Sequence, residues 1–258
     1  MRHALRRDLM GIYTIWLRDV RRFVRDRPRI IGSLVQPTLF LLVLGTGLGH
    51  GTFRAMAAGE GPDYMAFIFP GIVAMTILFT SAFSAISIIW DREVGFLKEV
   101  LVAPVSRWSV AVGKVLGGAS VAVMQGCVMM LLAPVAGVGL SAPVVLTMLP
   151  IMFLVAFAMT AMGIAAAARM ASMQGFTVIM NFVVLPIFFL SGAMFPLEGL
   201  PPWMTVLVHV DPLTYGVDAL RGVVLGVADR PLAADCSALA GFGMMMLALA
   251  VWSFGARD

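Results

Sequence analysis

Long uncharged stretches alternate with short charged ones along most of this chain. Residues 30–53, 64–90 and 115–168 contain no Asp, Glu, Lys or Arg. An α-helix rises about 1.5 Å per residue, so roughly 20 apolar residues cross a hydrocarbon core of about 30 Å. With 60% hydrophobic and 12% charged residues, the chain is predicted to be an all-α, polytopic membrane protein with one transmembrane domain over residues 1–258.

Six transmembrane helices follow from the lengths and breaks of these stretches. The run 115–168 is too long for one helix, and PVAGVGLSAP at 134–143 predicts a turn between two. The predicted spans are 30–53, 64–90, about 109–133, about 144–168, about 174–195 and 236–255. Their interiors are expected to hold no Asp, Glu, Lys or Arg, which argues against an ion-coupled transporter.

Residues 8–27 show a different pattern, with an apolar helix face opposite an arginine-rich one. Leu9, Trp16 and Val20 recur at helical spacing, and the opposite face holds the charged residues Arg18, Asp19, Arg21, Arg22, Arg25 and Asp26. Such a helix suits the headgroup layer, where its charges meet anionic membrane lipids. Packing against another domain is the alternative. Pro28 either ends this helix or opens the next.

The stretch 196–235 is the least regular part of the chain, with prolines scattered among apolar residues. Segments 200–209 and 213–225 are each too short to span a bilayer. They are predicted to be short interfacial or re-entrant helices between spans five and six, on the extracytoplasmic side.

The basic residues predict the orientation. Fifteen of the 18 Lys and Arg residues fall on one side if the N-terminus is cytoplasmic. Because positive charge is retained in cytoplasmic loops, both termini and segment 91–114 are predicted to be cytoplasmic. The net charge of +4 therefore reflects orientation and does not indicate nucleic-acid binding.

No catalytic chemistry is evident. A P-loop would need Ser or Thr where Val115 stands and Gly where Trp108 stands. Ser191 and His209 lack the arrangement of an intramembrane serine protease, and the two Cys and three His residues show no metal-ligand spacing. We expect no enzyme, metal site or cofactor in this chain, so that any ATP must bind to another chain.

Weakly polar side chains on two spans are candidates for a substrate path. Span two carries them on one helical stripe and span five carries a pair one turn apart, with Pro186 bending the helix beyond; the residues are Thr76, Thr80, Ser84, Ser87, Thr177 and Asn181. Hydrogen bonding between packed helices explains them equally well. The many methionines suit either an adaptable passage or a packed core.

The charged segment 91–114 is predicted to be helix, turn and helix. Pro104 breaks the first helix, and Ser106 is placed to cap a second that begins near Arg107. Short amphipathic elements of this kind can dock into a groove of a partner. An ordinary solvated loop is the alternative.

Two stretches carry a resemblance to a known family. Residues 92–107 read REVGFLKEVLVAPVSR, followed by Gly113-Lys114, and residues 189–222 contain FLSGAMFPLEGLPPWM and DPLTYGVDALRG. Both resemble the permeases of ABC-2 type exporters, in which the first pattern is a cytoplasmic loop. The resemblance covers nearly the whole chain, and it is closest to the drug-resistance and nodulation-factor export permeases.

The resemblance implies a half-transporter in the bacterial cytoplasmic (inner) membrane. A second copy or a homologous permease would pair with this chain above two copies of a separate ATPase subunit, which would hold ATP and Mg. Helix 8–27 would be the connecting helix. Segment 91–114 would be the coupling helix, with contacts to the ATPase from Arg92, Glu93, Phe96, Leu97, Lys98, Glu99 and Arg107.

The expected cargo is an amphipathic drug, lipid or glycolipid/oligosaccharide, because the candidate path is weakly polar and uncharged. Export as the direction follows from the resemblance. Segment 196–235 would cap the path, with Asp211, Asp218 and Arg221 pairing as an outer gate. A channel or uniporter without an ATPase and a membrane assembly protein are the alternatives, and co-purification of an ATPase subunit separates them.

Overall fold

The computed structural model describes residues 2–49, 63–93 and 106–255. This part of the chain contains helices and turns and no strand, which confirms the all-α fold. The helices are α1 (Arg2–Arg25), α2 (Arg27–Gly49), α3 (Tyr64–Ser84), α4 (Ile86–Glu93), α5 (Arg107–Met130), α6 (Ala142–Ala167), α7 (Met173–Leu190), α8 (Pro202–Val210), α9 (Pro212–Leu225) and α10 (Leu232–Gly255).

Six segments of the described ranges are long and apolar enough to cross a bilayer, as predicted. They are Ile30–Gly47, Tyr64–Asp91, Arg107–Met130, Ala142–Ala167, Met173–Leu190 and Leu232–Ser253. The second is formed by α3 and α4, which meet at a turn at Ala85. The fifth ends at Leu190, five residues before the predicted end, because the chain turns at Ser191 and Gly192 with a positive φ of 71° at the glycine.

The core lies where α3, α5 and α6 meet. Span two is 67% buried, whereas spans one, five and six are only 17%, 22% and 22% buried. Small residues allow the close approach: a Cβ on Gly163 of α6 would lie 2.8 Å from the Ala82 carbonyl oxygen, and one on Gly118 of α5 would collide with the Ser84 hydroxyl. The outer faces of α2, α7 and α10 are therefore available to lipid or to another chain.

Helix α1 begins earlier than predicted and ends two residues sooner. Asp26 separates it from α2, and Pro28 is the second residue of α2. A backbone N–H at this position would have no acceptor within the helix, so proline is tolerated there. One side of α1 packs on α5, and a second side exposes large apolar side chains such as Leu9 and Tyr13. The apolar face predicted from the sequence is thus divided between protein contact and exposure.

The outer segment forms the two short helices predicted for it, α8 and α9. The Asp211 carboxylate caps α9 by accepting a hydrogen bond from Leu213 N at 2.9 Å, and Gly226, with φ of 72°, ends it. A Cβ on Gly216 of α9 would lie 2.6 Å from a methyl group of Val155, halfway along α6. Helix α9 therefore reaches into the bundle rather than lying on its surface.

Candidate functional site

The two ends of the charged segment meet in a buried ion cluster with α1. The ammonium nitrogen of Lys114 lies 2.7 Å from Oδ2 of Asp91 and 3.2 Å from Oδ2 of Asp19. The guanidinium of Arg18 lies 2.5 Å from the same Asp91 oxygen, and Ser87 accepts a longer hydrogen bond from Lys114 at 3.3 Å. The cluster joins α1, α4 and α5.

This cluster corrects the expectation that the spans are free of charge, and it shows that Asp91 and Lys114, the two ends of segment 91–114, do not lie in water. Asp91 is 4% exposed and Lys114 is 5% exposed. Lys114 lies two turns inside the third span, which begins at Arg107. The charges are tolerated there because each is paired with an opposite charge.

Helix α1 is held along α5 by further close contacts. A Cβ on Gly113 would lie 3.2 Å from the Ile12 carbonyl oxygen, and one on Gly117 would lie 3.1 Å from Cβ of Asp19. The indole N–H of Trp16 also donates to the Ser120 hydroxyl at 2.9 Å. Glycines four residues apart let the two helix backbones approach closely, which brings Asp19 to Lys114.

The amino end of α1 reaches the start of α5. The Ser106 amide donates to the Asp8 carboxylate at 3.0 Å, and this bond holds the pKa of Asp8 below its usual value. Ser106 does precede the first residue of α5, as predicted, but its hydroxyl bonds to the Ser109 hydroxyl at 2.6 Å and makes no capping bond to a backbone amide. The hydrogen bond to Asp8 therefore holds the chain just before α5 against the N-terminal part of α1.

The predicted ATPase contacts lie mostly outside the described residues. This holds for Phe96, Leu97, Lys98 and Glu99, whereas Arg92 is placed as a residue of α4 without a described side chain. Glu93 is exposed at the end of α4, and Arg107 is half-buried at the start of α5. Glu93 is the last described residue before residues 94–105, and Arg107 directly follows Ser106, the first described residue after them.

Two of the six predicted path residues line one cavity. Thr80 of α3 and Asn181 of α7 face a space of about 300 Å³ between α2, α3 and α7. The other lining residues are polar groups of α2 and apolar or aromatic groups, namely Phe23, Gly32, Ser33, Gln36, Pro37, Met75, Phe79 and Phe83. The lining combines a few hydrogen-bonding groups with a wide apolar surface, as small-molecule sites do.

The other four predicted path residues are placed elsewhere. Ser84 and Ser87 line a smaller cavity of about 90 Å³ beside Lys114. The hydroxyl of Thr76 donates to the Ile72 carbonyl and that of Thr177 to the Met173 carbonyl, each at 2.9 Å within its own helix. The side chains predicted to form one polar stripe on span two therefore face different parts of the structure.

The three residues predicted to form an outer gate have other partners. Asp211 caps α9, and Asp218 accepts hydrogen bonds from the amides of Asp229 and Arg230, each at 2.9 Å. Arg221 donates to the Gly192 carbonyl at 2.7 Å, with its guanidinium 4.0 Å from the centre of the Phe67 ring. Within the described ranges these three side chains form no hydrogen bond or ion pair with one another.

Sequence reasoning placed Asp19 on the arginine-rich face of helix 8–27, whereas its carboxylate is paired with Lys114, and it did not single out Gln36 or Gln125. The buried Gln125 amide donates to the Ile30 carbonyl at 3.0 Å and to the Ser33 hydroxyl at 2.7 Å, which ties α5 to α2. A usable signal existed for Asp19, since it lies at the border between the two faces, seven residues after Ile12 and three after Trp16. An acid that borders an apolar face and becomes buried requires a partner of opposite charge.

Comparison with known proteins identifies the family. The ABC-2 type transporter family matches residues 10–225. Nodulation protein J of Sinorhizobium fredii is 31% identical over 227 residues, covering 86% of this chain and 84% of that protein. The inner membrane transport permease YadH of Escherichia coli is 26% identical over 254 residues, covering 95% and 94% of the two chains. The putative transport permease ycf38 of Cyanophora paradoxa is 28% identical over 206 residues, covering 78% and 70%. Because the family match spans most of the residues from α1 to α9, this chain belongs to the ABC-2 type transporter family of multi-pass membrane permeases.

Proposed function

We propose that this permease is the transmembrane subunit of an ATP-driven exporter that moves an amphipathic drug, lipid or glycolipid/oligosaccharide out of the cytoplasm or the inner leaflet. A separate ATPase subunit, present in two copies, supplies ATP hydrolysis and docks on segment 91–114. The observation that carries this proposal is the ion cluster that joins both ends of that segment to α1. The resemblance of the segment to the family's cytoplasmic loop supports it.

Because of the cluster, a movement of segment 91–114 is transmitted to the helices at both of its ends. Asp91 ends the second span and Lys114 lies in the third, so a displacement of the residues between them acts on both spans at once. Breaking a buried ion pair by removing one partner typically costs about 3–5 kcal/mol. A push from an ATPase therefore moves α1, α4 and α5 together instead of separating them.

The cargo is proposed to pass the cavity between α2, α3 and α7. Gln36 and Asn181 line it and are exposed in the single chain, although an amide facing hydrocarbon is costly. Phe182, next to Asn181, is 78% exposed. A second permease facing α2 and α7 would cover these groups and enclose a path with both polar and apolar walls.

The test is reconstitution of the permease with its ATPase subunit in proteoliposomes. Charge reversal by Lys98→Glu should abolish co-purification of the ATPase and cargo export, because it disrupts the docking surface. Glu198→Lys, on the exposed outer segment, is the matched charge-reversal control and should leave both unchanged. Export by the permease alone, without the ATPase, would overturn the proposal in favour of a channel or uniporter.

A further inference from the structure

Asp235, in the first turn of α10, has a buried carboxyl group with no hydrogen-bond donor beside it. The residue is 0% exposed, and within the described ranges neither of its carboxylate oxygens has a hydrogen-bond partner. A buried, ionised carboxylate without a partner costs several kcal/mol even after its surroundings relax. The N-terminus of a helix favours a negative charge in its first turn by only about 0.3–1 kcal/mol. Because the cost of burial is larger, the neutral acid is the favoured form of Asp235.

The group that faces Asp235 is a second carboxyl, that of Asp218 on α9. The two side chains lie within hydrogen-bonding reach of each other, but two ionised carboxylates cannot form a hydrogen bond because neither has a proton to donate. Asp218 already accepts hydrogen bonds from the amides of Asp229 and Arg230, each at 2.9 Å, and the Arg230 guanidinium lies 4.0 Å from it. These donors stabilise the ionised form of Asp218. The two acids therefore have unlike surroundings, and a proton held by the pair resides on Asp235.

The other charges near this pair do not replace that proton. Arg230 lies over the Tyr215 ring, 5.0 Å from its centre, and Arg221 donates to a backbone carbonyl in the turn after α7. The exposed Asp229 adds a negative charge on the turn between α9 and α10, and Cys236 of α10 is a neutral thiol at pH 7. Of the other helices that pack on α10, α6 contains no Asp, Glu, Lys, Arg or His, and α5 contains none in its outer half. Three acids thus lie with two arginines in this part of the described chain, and one added proton makes the group electrically neutral.

We infer that Asp235 holds a proton at neutral pH and donates it to Asp218, so that a carboxyl–carboxylate hydrogen bond joins α9 of the outer segment to the sixth span. Two adjacent carboxylates that share one proton are stable, whereas two that are both ionised repel each other. Loss of the proton would place that repulsion between α9 and α10. Helix α9 also packs on α3 and α6, so a rising pH loosens the contact of the outer segment with the bundle. This inference depends neither on the proposed ATPase nor on the cargo path.

Infrared difference spectroscopy of the purified full-length permease detects the proton directly. At about pH 7, where an ordinary Asp is ionised, the spectrum of the unmodified protein minus that of Asp235→Asn should contain the C=O stretching band of one protonated carboxylic acid. Glu198→Gln removes an exposed acid of the same outer segment and should remove carboxylate bands only. Asp211, whose pKa is raised to about 7 by burial, is present in all three proteins and cancels in the differences. A difference spectrum of Asp235→Asn without the carboxylic acid band would overturn the inference.

The pH dependence of thermal unfolding gives a second readout. An acid that is protonated in the folded protein and ionised in the unfolded chain lowers stability as the pH rises above the ordinary Asp value of about 3.9. Asp235→Asn keeps a neutral donor for Asp218 and removes this penalty. Its midpoint should therefore rise relative to that of the unmodified protein by about 2–4 °C per pH unit, from about pH 5 until Asp235 ionises, whereas the midpoint of Glu198→Gln should follow that of the unmodified protein.

Hydrogen exchange of the unmodified protein avoids any dependence on a variant. The amides of Asp229 and Arg230 donate to Asp218, so their exchange, corrected for the intrinsic rate, should accelerate as the pH rises and Asp235 loses its proton. Corrected rates that are constant with pH, together with a constant midpoint difference for Asp235→Asn, would contradict the shared proton. A midpoint that Mg²⁺ or Ca²⁺ raises in the unmodified protein but not in Asp235→Asn would assign the two acids to a metal ion instead.

Discussion

The carboxylate of Asp91 and the ammonium group of Lys114 are 2.7 Å apart, and this contact closes the charged segment at its base. Their side chains are only 6% and 4% exposed. Asp19 of α1 provides Lys114 with a second carboxylate at 3.2 Å. The segment between Asp91 and Lys114 is thereby tied to the helix that precedes the first span as well as to the spans on its own two sides.

We expect Asp91→Asn to destabilise the permease by about 3 kcal/mol, because it leaves Lys114 and Arg18 with one carboxylate between them in a buried site. Thermal unfolding of the purified protein in detergent measures this as a lower midpoint. Glu198→Gln removes an exposed acid and should not shift the midpoint.

The double variant Asp91→Asn/Lys114→Met gives a stricter check of the same contact. Because both partners are removed together, its cost should be clearly smaller than the sum of the two single costs. Strict additivity would show that the two residues do not interact.

The spans could be predicted from the sequence because each depends mainly on the length of an uncharged run. The cluster could not, because the positions of Asp91 and Lys114 at the ends of a charged segment suggest exposure when the segment is considered alone. Their burial depends on α1, which packs on α5 through Gly113 and Gly117. Such a contact between distant parts of the chain leaves only a weak trace in sequence, namely the acidic Asp19 at the border between the apolar and the arginine-rich faces of helix 8–27.

The candidate substrate path could likewise be predicted only in part from the sequence. Helical spacing placed Thr76, Thr80 and Ser84 on one stripe, but spacing does not say which neighbour each residue meets. Thr80 lines the larger cavity and Ser84 the smaller one, because the chain turns at Ala85 and different helices cover the stripe at different depths. Gln36 of the first span completes the larger cavity, and no periodic pattern indicated it.

The turn after α7 is predicted to depend on Gly71. A Cβ at this position would collide with the Ala193 carbonyl oxygen and lie 2.7 Å from Ala193 Cα. Backbone atoms cannot move aside as a flexible side chain does, so Gly71→Ala should cost about 1–3 kcal/mol in unfolding free energy.

Gly241→Ala is the control for that substitution, since no atom lies within 4 Å of the added methyl group in α10. It should stabilise the protein by about 0.5–1 kcal/mol through helix propensity. Similar effects of the two substitutions on the thermal midpoint would contradict the close contact at Ala193.

The hydrogen bond from the Ser106 amide to Asp8 should slow exchange of that amide with solvent. Asp8→Ala should accelerate its hydrogen–deuterium exchange, whereas Asp8→Asn keeps an acceptor oxygen and should have a smaller effect. Because the pKa of Asp8 is lowered, the carboxylate is fully charged above the ordinary Asp value of about 3.9. The stabilising contact is lost only as the pH falls through the lowered value.

The ratio of the exchange rates of Asp8→Ala and unmodified protein, corrected for intrinsic exchange, should therefore be constant from about pH 5 to pH 9. A ratio near one throughout would show that the bond does not form in solution. A ratio that falls steadily over this range would contradict the lowered pKa.

Asn181 and Thr177 offer a matched test of the cargo path, because they lie one turn apart on α7 but face different surroundings. Asn181 lines the larger cavity, while the Thr177 hydroxyl is bonded to its own helix at the Met173 carbonyl. Asn181→Leu removes the amide at similar volume and should raise the KM for a cargo with a polar headgroup roughly three- to tenfold, the range expected for one lost neutral hydrogen bond. Thr177→Val should leave the KM unchanged, and neither substitution should lower the thermal midpoint appreciably.

Both variants are measured by cargo-stimulated ATP hydrolysis of the reconstituted complex. An unchanged KM for Asn181→Leu, or an equal increase in KM for Thr177→Val, would show that the cavity between α2, α3 and α7 is not part of the cargo path.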